Sequence, residues 1–144
     1  MKKIGILLSL LTLCLVPFQL TVQAKVNCPS GEQLIETSAN DKDELLEALK
    51  KLVPSTYSES DYGNYFSKWD VETALPLPKT VGKAKDEVYY KMAQNYCGEK
   101  VADKSWLVRL HFPLWEGKSD SAVEGQVYLA KSKEDGWFVW HRYK

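Results

Sequence analysis

Residues 106–112, Trp-Leu-Val-Arg-Leu-His-Phe, decide the fold, because they form the most regular alternating stretch of the chain. Side chains of an extended strand point in turn to its two faces. One face would therefore carry Trp106, Val108, Leu110 and Phe112, and the other would carry Leu107, Arg109 and His111. This alternation of large apolar residues predicts the strongest strand of the chain.

Two more strands are predicted after it. A loop at 116–120, Glu-Gly-Lys-Ser-Asp, precedes a second alternating run made of Val123, Gly125, Val127 and Leu129. Residues 133–136, Lys-Glu-Asp-Gly, suit a hairpin turn with a late glycine, and residues 137–143, Trp-Phe-Val-Trp-His-Arg-Tyr, suit a closing strand. The last third of the chain is thus predicted to be an antiparallel three-stranded meander.

A first helix is predicted upstream of the strands. It begins at Asn40 or Asp41, either of which can cap it, and has Glu44 in the position of a capping-box acid. Its apolar residues recur at helical spacing: Leu45, Leu46, Leu49, Leu52 and Val53. We expect the helix to end at Pro54, because a proline interrupts helical hydrogen bonding.

A second helix is predicted over residues 83–97 and is ended by Gly98. Its apolar stripe, with one residue in every four, consists of Ala84, Val88, Met92 and Tyr96. Such a stripe can line a ligand site, but it more often faces a core, so we expect it to be buried. Between the helices, residues 57–69 hold five aromatic side chains, too many for a disordered linker, and residues 59–68 suit a short helix.

The order of these elements predicts one α+β domain, with N-terminal helices packed on one face of a curved antiparallel sheet. Helices followed by long paired strands and a final aromatic strand are similar to the cystatin-like and NTF2-like small domains, and residues 135–141, Asp-Gly-Trp-Phe-Val-Trp-His, resemble their last hairpin. The resemblance covers residues 83–144. It implies an architecture and no catalytic residue, because residues 126–129, Gln-Val-Tyr-Leu, depart from the Gln-x-Val-x-Gly hairpin of cystatin inhibitors. The NTF2-like group includes many proteins that only bind.

Residues 1–24 have the three parts of a removable export signal. Two lysines open the chain after its methionine, residues 4–15 are apolar, and residues 22–24, Val-Gln-Ala, supply the small residues that signal peptidases prefer. Cleavage there leaves residues 25–144 as a single secreted domain, and the plain Lys-Lys start favours a bacterial source. The alternative is an uncleaved membrane anchor over residues 4–22.

Cys28 and Cys97 are the two cysteines that remain after cleavage. Thiols of exported proteins meet an oxidising environment, where an even number usually pairs, so we predict a structural disulfide between them. The bridge would tie a loose N-terminus to the end of the second helix and stabilise the fold by about 4 kcal/mol through loop closure. A redox centre is the alternative, but such centres use close pairs such as Cys-x-x-Cys.

Composition and motifs exclude several classes of function. The chain has 19 basic and 19 acidic residues, and the loss of two lysines with the signal leaves a net charge of −2, which argues against nucleic acid as a partner. Two histidines and two bridged cysteines are too few for a stable zinc site. The sequence contains neither a nucleophile elbow nor a glycine-rich phosphate loop, so no catalytic residue and no cofactor are predicted.

The closing strand carries large apolar residues on both faces, with Trp137 and Val139 on one and Phe138 and Trp140 on the other. A single layer of helices cannot cover both faces. Three covers for the second face are considered, in order of preference. They are the aromatic segment 57–69, a partner chain or homodimer, and a ligand cleft whose Trp and Tyr rings stack on sugars of the cell envelope.

The sequence therefore predicts an exported, non-catalytic binding or accessory domain at the bacterial cell envelope or outside the cell. Rings would supply its contact area and cations would orient a polar group; the predicted binding residues are Arg109, His111, Trp137, Trp140 and Arg142. The competing class is an NTF2-like enzyme with His111 or His141 as acid or base and Tyr96 or Tyr128 as hydrogen-bond donor. The third class is a membrane-tethered interaction domain that keeps its anchor.

Overall fold

The computed structural model describes residues 26–143. The predicted signal and its cleavage site lie outside the described residues. The main elements are α1 (Lys42–Tyr57), β1 (Asp70–Pro76), α2 (Glu87–Cys97), α3 (Glu99–Asp103), β2 (Ser105–His111), β3 (Glu124–Ser132) and β4 (Gly136–Tyr143). Short 3-10 turns lie at Ala39–Asp41, Gly63–Phe66, Leu77–Thr80 and Pro113–Trp115. Among these residues, no helix is both long enough and apolar enough to cross a membrane.

The four strands form one antiparallel sheet in the order β1-β2-β3-β4. The predicted α+β class is confirmed, and β2, β3 and β4 form the predicted meander. β1 is a further strand, at the edge of the sheet, that the sequence pattern does not predict. A register shift between Val71 and Thr73 interrupts its alternation, and a proline, Pro76, ends it. Its seven residues therefore lack the period that identifies the other strands.

α1 packs across one face of the sheet, here called the α1 face. Its buried side chains are Leu45, Leu49, Val53 and Tyr57, and the sheet contributes Trp106, Val108, Leu110, Val127, Leu129 and Trp137. The prediction that this helix ends at Pro54 is wrong, since α1 continues to Tyr57. A proline inside a helix removes one backbone hydrogen bond. Burial of Tyr57, which is 2 % exposed and packs on the rings of Phe66 and Phe112, offsets that loss.

The start of α1 uses different side chains from those predicted. Asp41 stands at the predicted N-cap position, but its side chain makes no cap bond to α1. Its carboxylate instead accepts a hydrogen bond from the Ser38 N–H at 2.8 Å, in a capping box one turn earlier. Glu44 is not part of a capping box, because its carboxylate accepts a hydrogen bond from the Lys131 ammonium at 2.7 Å. The box leads the chain through a 3-10 turn into the helix.

α2 and α3 cover the opposite face of the sheet, here called the α2 face. The sheet contributes Leu107, Tyr128, Ala130 and Trp140 to this core, and the covering segments contribute Leu34, Leu77, Ala93, Val101 and Ala102. Helices therefore lie on both faces of the sheet rather than on one. The aromatic segment 57–69 does not supply the second cover either. Its rings Tyr57, Phe66 and Trp69 pack within the core of the α1 face, beside Trp115.

The buried side of α2 is not the predicted stripe. Val88 is 52 % exposed and Tyr96 is 37 % exposed, whereas Ala93 is fully buried. A position one residue further along a helix is rotated by about 100°. The contact side therefore follows Ala93 together with the half-buried Tyr89 and Tyr90, while Val88 and Tyr96 face outward. The predicted start at residue 83 is wrong, since α2 begins at Glu87 and Ala84 precedes it. The predicted end of the helix is confirmed.

The predicted disulfide between Cys28 and Cys97 is confirmed, with its two Cα atoms 5.3 Å apart. It fixes the segment before α1 to the C-terminal end of α2. From there the segment runs along the end of the sheet, where Leu34 forms a β-bridge with Ser132. The Trp106 indole N–H donates to the Thr37 hydroxyl at 2.8 Å. The disulfide thus joins the covers of the two sheet faces into one framework.

Candidate functional site

The five predicted binding residues lie on two faces of the sheet: Trp137 and Arg142 on the α1 face, and Arg109, His111 and Trp140 on the α2 face. Trp137 is 7 % exposed and packs edge-on against Trp106, with 5.8 Å between ring centroids. The Arg142 guanidinium lies 4.9 Å from the ring centroid of Tyr57 and donates to the Thr56 carbonyl. These two residues hold α1 on the sheet, and they do not share a surface with the other three.

A bulge in β4 determines what the α2 face presents. Tyr128 pairs with His141 and Leu129 pairs with Val139, so Trp140 is the extra residue between them. Trp140 and His141 consequently both lie on the α2 face, with their rings stacked at 6.0 Å. Trp140 is 8 % exposed and its indole N–H donates to the Ser105 hydroxyl at 3.0 Å, which makes it a core residue. His141 is left at the surface beside it.

A group of four tyrosines and one histidine lies where α2 meets β3 and β4. This tyrosine cluster comprises Tyr89, Tyr96, Tyr128, Tyr143 and His141. The His141 ring centroid is 4.8 Å from that of Tyr96 and 5.7 Å from that of Tyr128, and the centroids of Tyr89 and Tyr143 are 6.3 Å apart. The cluster brings together His141, Tyr96 and Tyr128, which the sequence analysis named for the competing enzyme.

Tyr128 forms the floor of the cluster. It is fully buried, and its hydroxyl has no hydrogen-bond partner among the described residues. Burial raises the pKa of Tyr128, so the phenol is neutral at physiological pH. Burial also lowers the pKa of His141, so its imidazole is neutral as well. The cluster therefore presents neutral donors and acceptors on aromatic rings rather than fixed charges.

A small polar recess adjoins the cluster at the end of β3. This recess is lined by Asp120, Ser121, Val123, Glu124 and Gln126 and has a volume of about 280 Å³. Tyr143 of the cluster stands directly opposite Gln126 in the β3–β4 ladder. Gln126 is 3 % exposed, and its Oε1 has no hydrogen-bond partner among the described residues. The recess thus has exposed carboxylates at its surface, whereas the Gln126 oxygen is sealed from solvent.

Arg109 lies beside the recess and is tied to three carboxylates. Its guanidinium is 3.1 Å from Glu124, 3.4 Å from Glu72 and 3.6 Å from Asp86, and its side chain is 14 % exposed. Burial acts to lower the pKa of Arg109, but the three carboxylates outweigh it and the pKa is raised. Because Glu72 is on β1, Asp86 precedes α2 and Glu124 is on β3, the guanidinium joins three elements.

Tyr89 connects the tyrosine cluster to this charged group. Burial raises the pKa of Tyr89 most; the Arg109 charge lowers it, and the charges of Glu124 and Asp86 raise it further. The Tyr89 ring lies 6.3 Å from that of Tyr143, which stands opposite Gln126, and Gln126 stands opposite Arg109 in the next ladder. The cluster, the recess and the Arg109 group therefore form one continuous candidate site on the α2 face.

His111 lies at the margin of this site. Its Nε2 is 2.8 Å from Glu116 Oε1, and it pairs with Glu124 in the sheet. His141 pairs with Tyr128, four residues further along β3, so the two histidines are separated by about 13 Å along the strand. The register keeps them apart, and they do not form a single acid–base pair.

Three residues of the site have no role in the sequence analysis: Tyr89, Gln126 and Tyr143. A signal for Gln126 is present in the sequence. Gln126 and Val127 point to opposite faces of the sheet, and the pairing of β3 with β2 determines that Gln126 shares a face with Arg109. Following that register would have placed Glu124 and Gln126 beside Arg109. Tyr89 carried no such signal, because the buried side of α2 differs from its apolar stripe.

Within residues 26–143, no three His, Cys, Asp or Glu side chains are grouped as metal ligands. Comparisons with protein-family models, with curated proteins and with solved structures found no match to this chain. The similarity to cystatin-like and NTF2-like domains thus stays a prediction from the sequence pattern. A function must be argued from the site itself.

Proposed function

We propose that this chain is an exported, non-catalytic binding or accessory domain at the bacterial cell envelope, and that it contacts its partner through the tyrosine cluster and the polar recess. Two features support export. The sequence begins with the three parts of a signal. The Cys28–Cys97 disulfide is a bond that persists in oxidising compartments and is rare in the cytosol.

The observation that carries the binding proposal is the exposure of large side chains above a buried polar floor. Val88, Tyr96 and Tyr143 are 52 %, 37 % and 37 % exposed, and all three lie on α2 or β4. Tyrosine suits recognition because it provides apolar area and a hydrogen-bonding end together.

The kind of partner follows from the same surface. Tyrosine rings can contact either a protein chain or the apolar side of a sugar ring. We therefore propose a protein partner, a second copy of the chain or an envelope glycan as the occupant of the cluster. The competing enzyme is favoured by one observation, the contact of His141 with Tyr96 and Tyr128. In that case the neutral imidazole would act as the base.

Site-specific photo-crosslinking tests the proposal. A benzophenone amino acid replaces Tyr96 or Tyr143 in the exported chain, and the control replaces Tyr62, which is 58 % exposed at the Gly63–Phe66 turn away from the cluster. Irradiation of a producing culture should give adducts from positions 96 and 143 and none from position 62. Equal adducts at all three positions, or none at any, would overturn the proposed surface.

Histidine variants separate the binding domain from the enzyme. His141→Phe keeps an aromatic ring against Tyr96 and Tyr128, and His111→Gln keeps a polar group beside Glu116. A binding domain should retain its adducts in the double variant, because no step requires an imidazole. Loss of adducts with retained folding would contradict this expectation, and the enzyme would be favoured only by an activity that the double variant loses while its adducts persist. Mass spectrometry of the exported chain should find Lys25 as its first residue, and an intact N-terminus would favour the tethered alternative.

A further inference from the structure

We infer that the outer edge of β4 pairs with the same edge of a second copy of the chain, so that two sheets join across a two-fold axis. The surface concerned is the edge of the strand, and it lies outside the tyrosine cluster and the polar recess of the proposed function. Three observations carry the inference: the unpaired backbone of β4, its unprotected apolar residues, and the charges at its two ends.

β4 is an edge strand with hydrogen-bonding capacity left over. It pairs with β3 on one side, and among residues 26–143 its backbone forms no hydrogen bond to the backbone of any other element. Alternate N–H and carbonyl groups of an edge strand point away from its neighbour, so those of β4 are available to another strand. Addition of a strand to such an edge is a recurring mode of protein recognition.

The two edges of the sheet differ in how they are protected from such pairing. β1, at the other edge, has a register shift, two acidic residues and a terminal proline, which are Asp70, Glu72 and Pro76. Charges, bulges and prolines are the features by which natural edge strands avoid pairing. Residues 136–139 of β4, Gly-Trp-Phe-Val, contain neither charge nor proline, and the bulge at Trp140 comes only after them. The first half of β4 is therefore the edge that can accept another strand.

The charges at the two ends of β4 select a second copy as the partner strand. The turn before β4 has two acids and one lysine, Glu134, Asp135 and Lys133, and the far end of the strand has Arg142. Within the described part of the chain, none of these four side chains forms an ion pair, and the Arg142 guanidinium contacts only the Tyr57 ring and a backbone carbonyl. An antiparallel pair of β4 strands brings the basic end of each copy beside the acidic turn of the other.

The apolar residues of the edge match in the same arrangement. When two antiparallel β4 strands are centred on Phe138, the Arg142 position of one copy lies opposite Glu134 of the other. Phe138 then meets its own copy, and Val139 meets Trp137. Phe138 and Val139 are half-buried on opposite faces of the sheet, so a paired strand would cover the exposed parts of both. The edge is thus complementary to itself in charge and in apolar contact.

Sedimentation velocity of the exported, disulfide-intact protein over a range of concentrations tests the inference. We expect a monomer–dimer equilibrium. A protein that stays monomeric at all concentrations up to about 1 mM overturns the inference.

Two valines provide a matched pair of variants. Val139 on β4 and Val71 on β1 are both half-buried, and both pack against the core of the α1 face. Val139→Lys and Val71→Lys should therefore lower the thermal midpoint to a similar extent. Only Val139→Lys should abolish the dimer, because it places like charges along the β4 edge. Equal loss of the dimer in the two variants overturns the inference.

A charge change in the exposed turn tests the edge without altering the core. Glu134→Lys should weaken the dimer about fivefold, because it opposes Arg142 twice across the two-fold axis. The matched control Glu59→Lys makes the same charge change at an exposed position after α1 and should leave the dimer unchanged. Equal weakening by the two variants would reflect net charge alone and would overturn the inference.

Tyr96→Ala separates this dimer from a contact through the tyrosine cluster. Tyr96 is on α2 and not on β4, so the variant should keep the dimer. Loss of the dimer in Tyr96→Ala, with the dimer retained in Val139→Lys, overturns the inference and makes the tyrosine cluster the contact. Adducts at position 96 from a protein that stays monomeric would reject the inference and leave the proposed function in place.

Discussion

The two faces of the sheet are both covered by the chain itself, but by different means. The α1 face is filled by long side chains, with Leu49 and Trp106 fully buried between α1 and the sheet. On the α2 face the covering helices approach through small residues, Ala93 and Ala102, which are also fully buried. Small residues bury little apolar area, so other bonds must hold α2 in place.

Those other bonds are at the two ends of α2. The disulfide to Cys28 fixes its C-terminal end, and the ion pair between Asp86 and Arg109 fixes its start. The middle of the α2 face meanwhile keeps polar groups in its floor, including the Tyr128 hydroxyl and Gln126. The α1 face thus holds the larger buried apolar cluster, and the α2 face combines a smaller cluster with buried polar groups.

Loss of the disulfide should have the largest effect and should act unequally on the two faces. Replacing Cys28 and Cys97 by serine should lower the free energy of unfolding by about 4 kcal/mol, because the open form regains the entropy of a long loop. Urea denaturation measures the total. Amide hydrogen exchange should show protection falling more in α2 than in α1. An unchanged midpoint, or equal loss of protection in both helices, would contradict the comparison.

Truncation of a core residue on the α1 face should have the next largest effect. Leu49→Ala should cost about 3 kcal/mol, because it removes a fully buried side chain and leaves a cavity. The matched control on the other helix is Val88→Ala, which should change the free energy of unfolding by less than about 0.5 kcal/mol, since Val88 is exposed. Similar losses from the two variants, measured by urea denaturation, would show that α2 packs more tightly than its burial indicates.

Removal of the buried Tyr128 hydroxyl on the α2 face should not destabilise the protein, unlike the two preceding changes. Tyr128→Phe should leave the free energy of unfolding unchanged or raise it by up to about 1 kcal/mol, because it removes a buried polar atom without a described partner. Tyr90→Phe is the control, since the Tyr90 hydroxyl donates to Asp103 and its removal should cost about 0.5–1 kcal/mol. If Tyr128→Phe destabilised the protein more than Tyr90→Phe did, the Tyr128 hydroxyl would have a partner of its own.

Much of the fold follows from local sequence patterns. The alternation at 106–112 and the Asp-Gly turn before Trp137 identify the meander, and the leucine spacing identifies α1, because each signal spans a whole element. The disulfide follows from the number of cysteines and the predicted compartment. The wrong predictions, those for the end of α1 and for the buried side of α2, concern features that depend on tertiary contacts. Pro54 stays inside α1 because Tyr57 is buried beyond it, and α2 turns Ala93 toward the core, where it is fully buried.

The candidate site was harder to predict than the fold for a related reason. The bulge at Trp140 moves His141 onto the α2 face, and the sequence of β4 does not predict a bulge. Trp137 and Arg142 were expected to share a surface with Arg109, yet they belong to the α1 face. Assigning residues to a face requires the register of every strand, which a single alternating run does not provide.

The titration of His141 should have the smallest effect on the free energy of unfolding. It tests whether the burial of a group on the α2 face contributes to stability. Burial lowers the pKa of His141 in the folded state, so between the folded value and the ordinary value near 6.5 the unfolded chain binds more protons. The free energy of unfolding should therefore fall as the pH is lowered through 6.5. Urea midpoints at pH 7.5 and 5.5 should differ less for His141→Phe than for the wild type. If His141→Phe left the pH dependence unchanged, the imidazole would be as well hydrated as in the unfolded chain, and the tyrosine cluster would be looser than its ring contacts indicate.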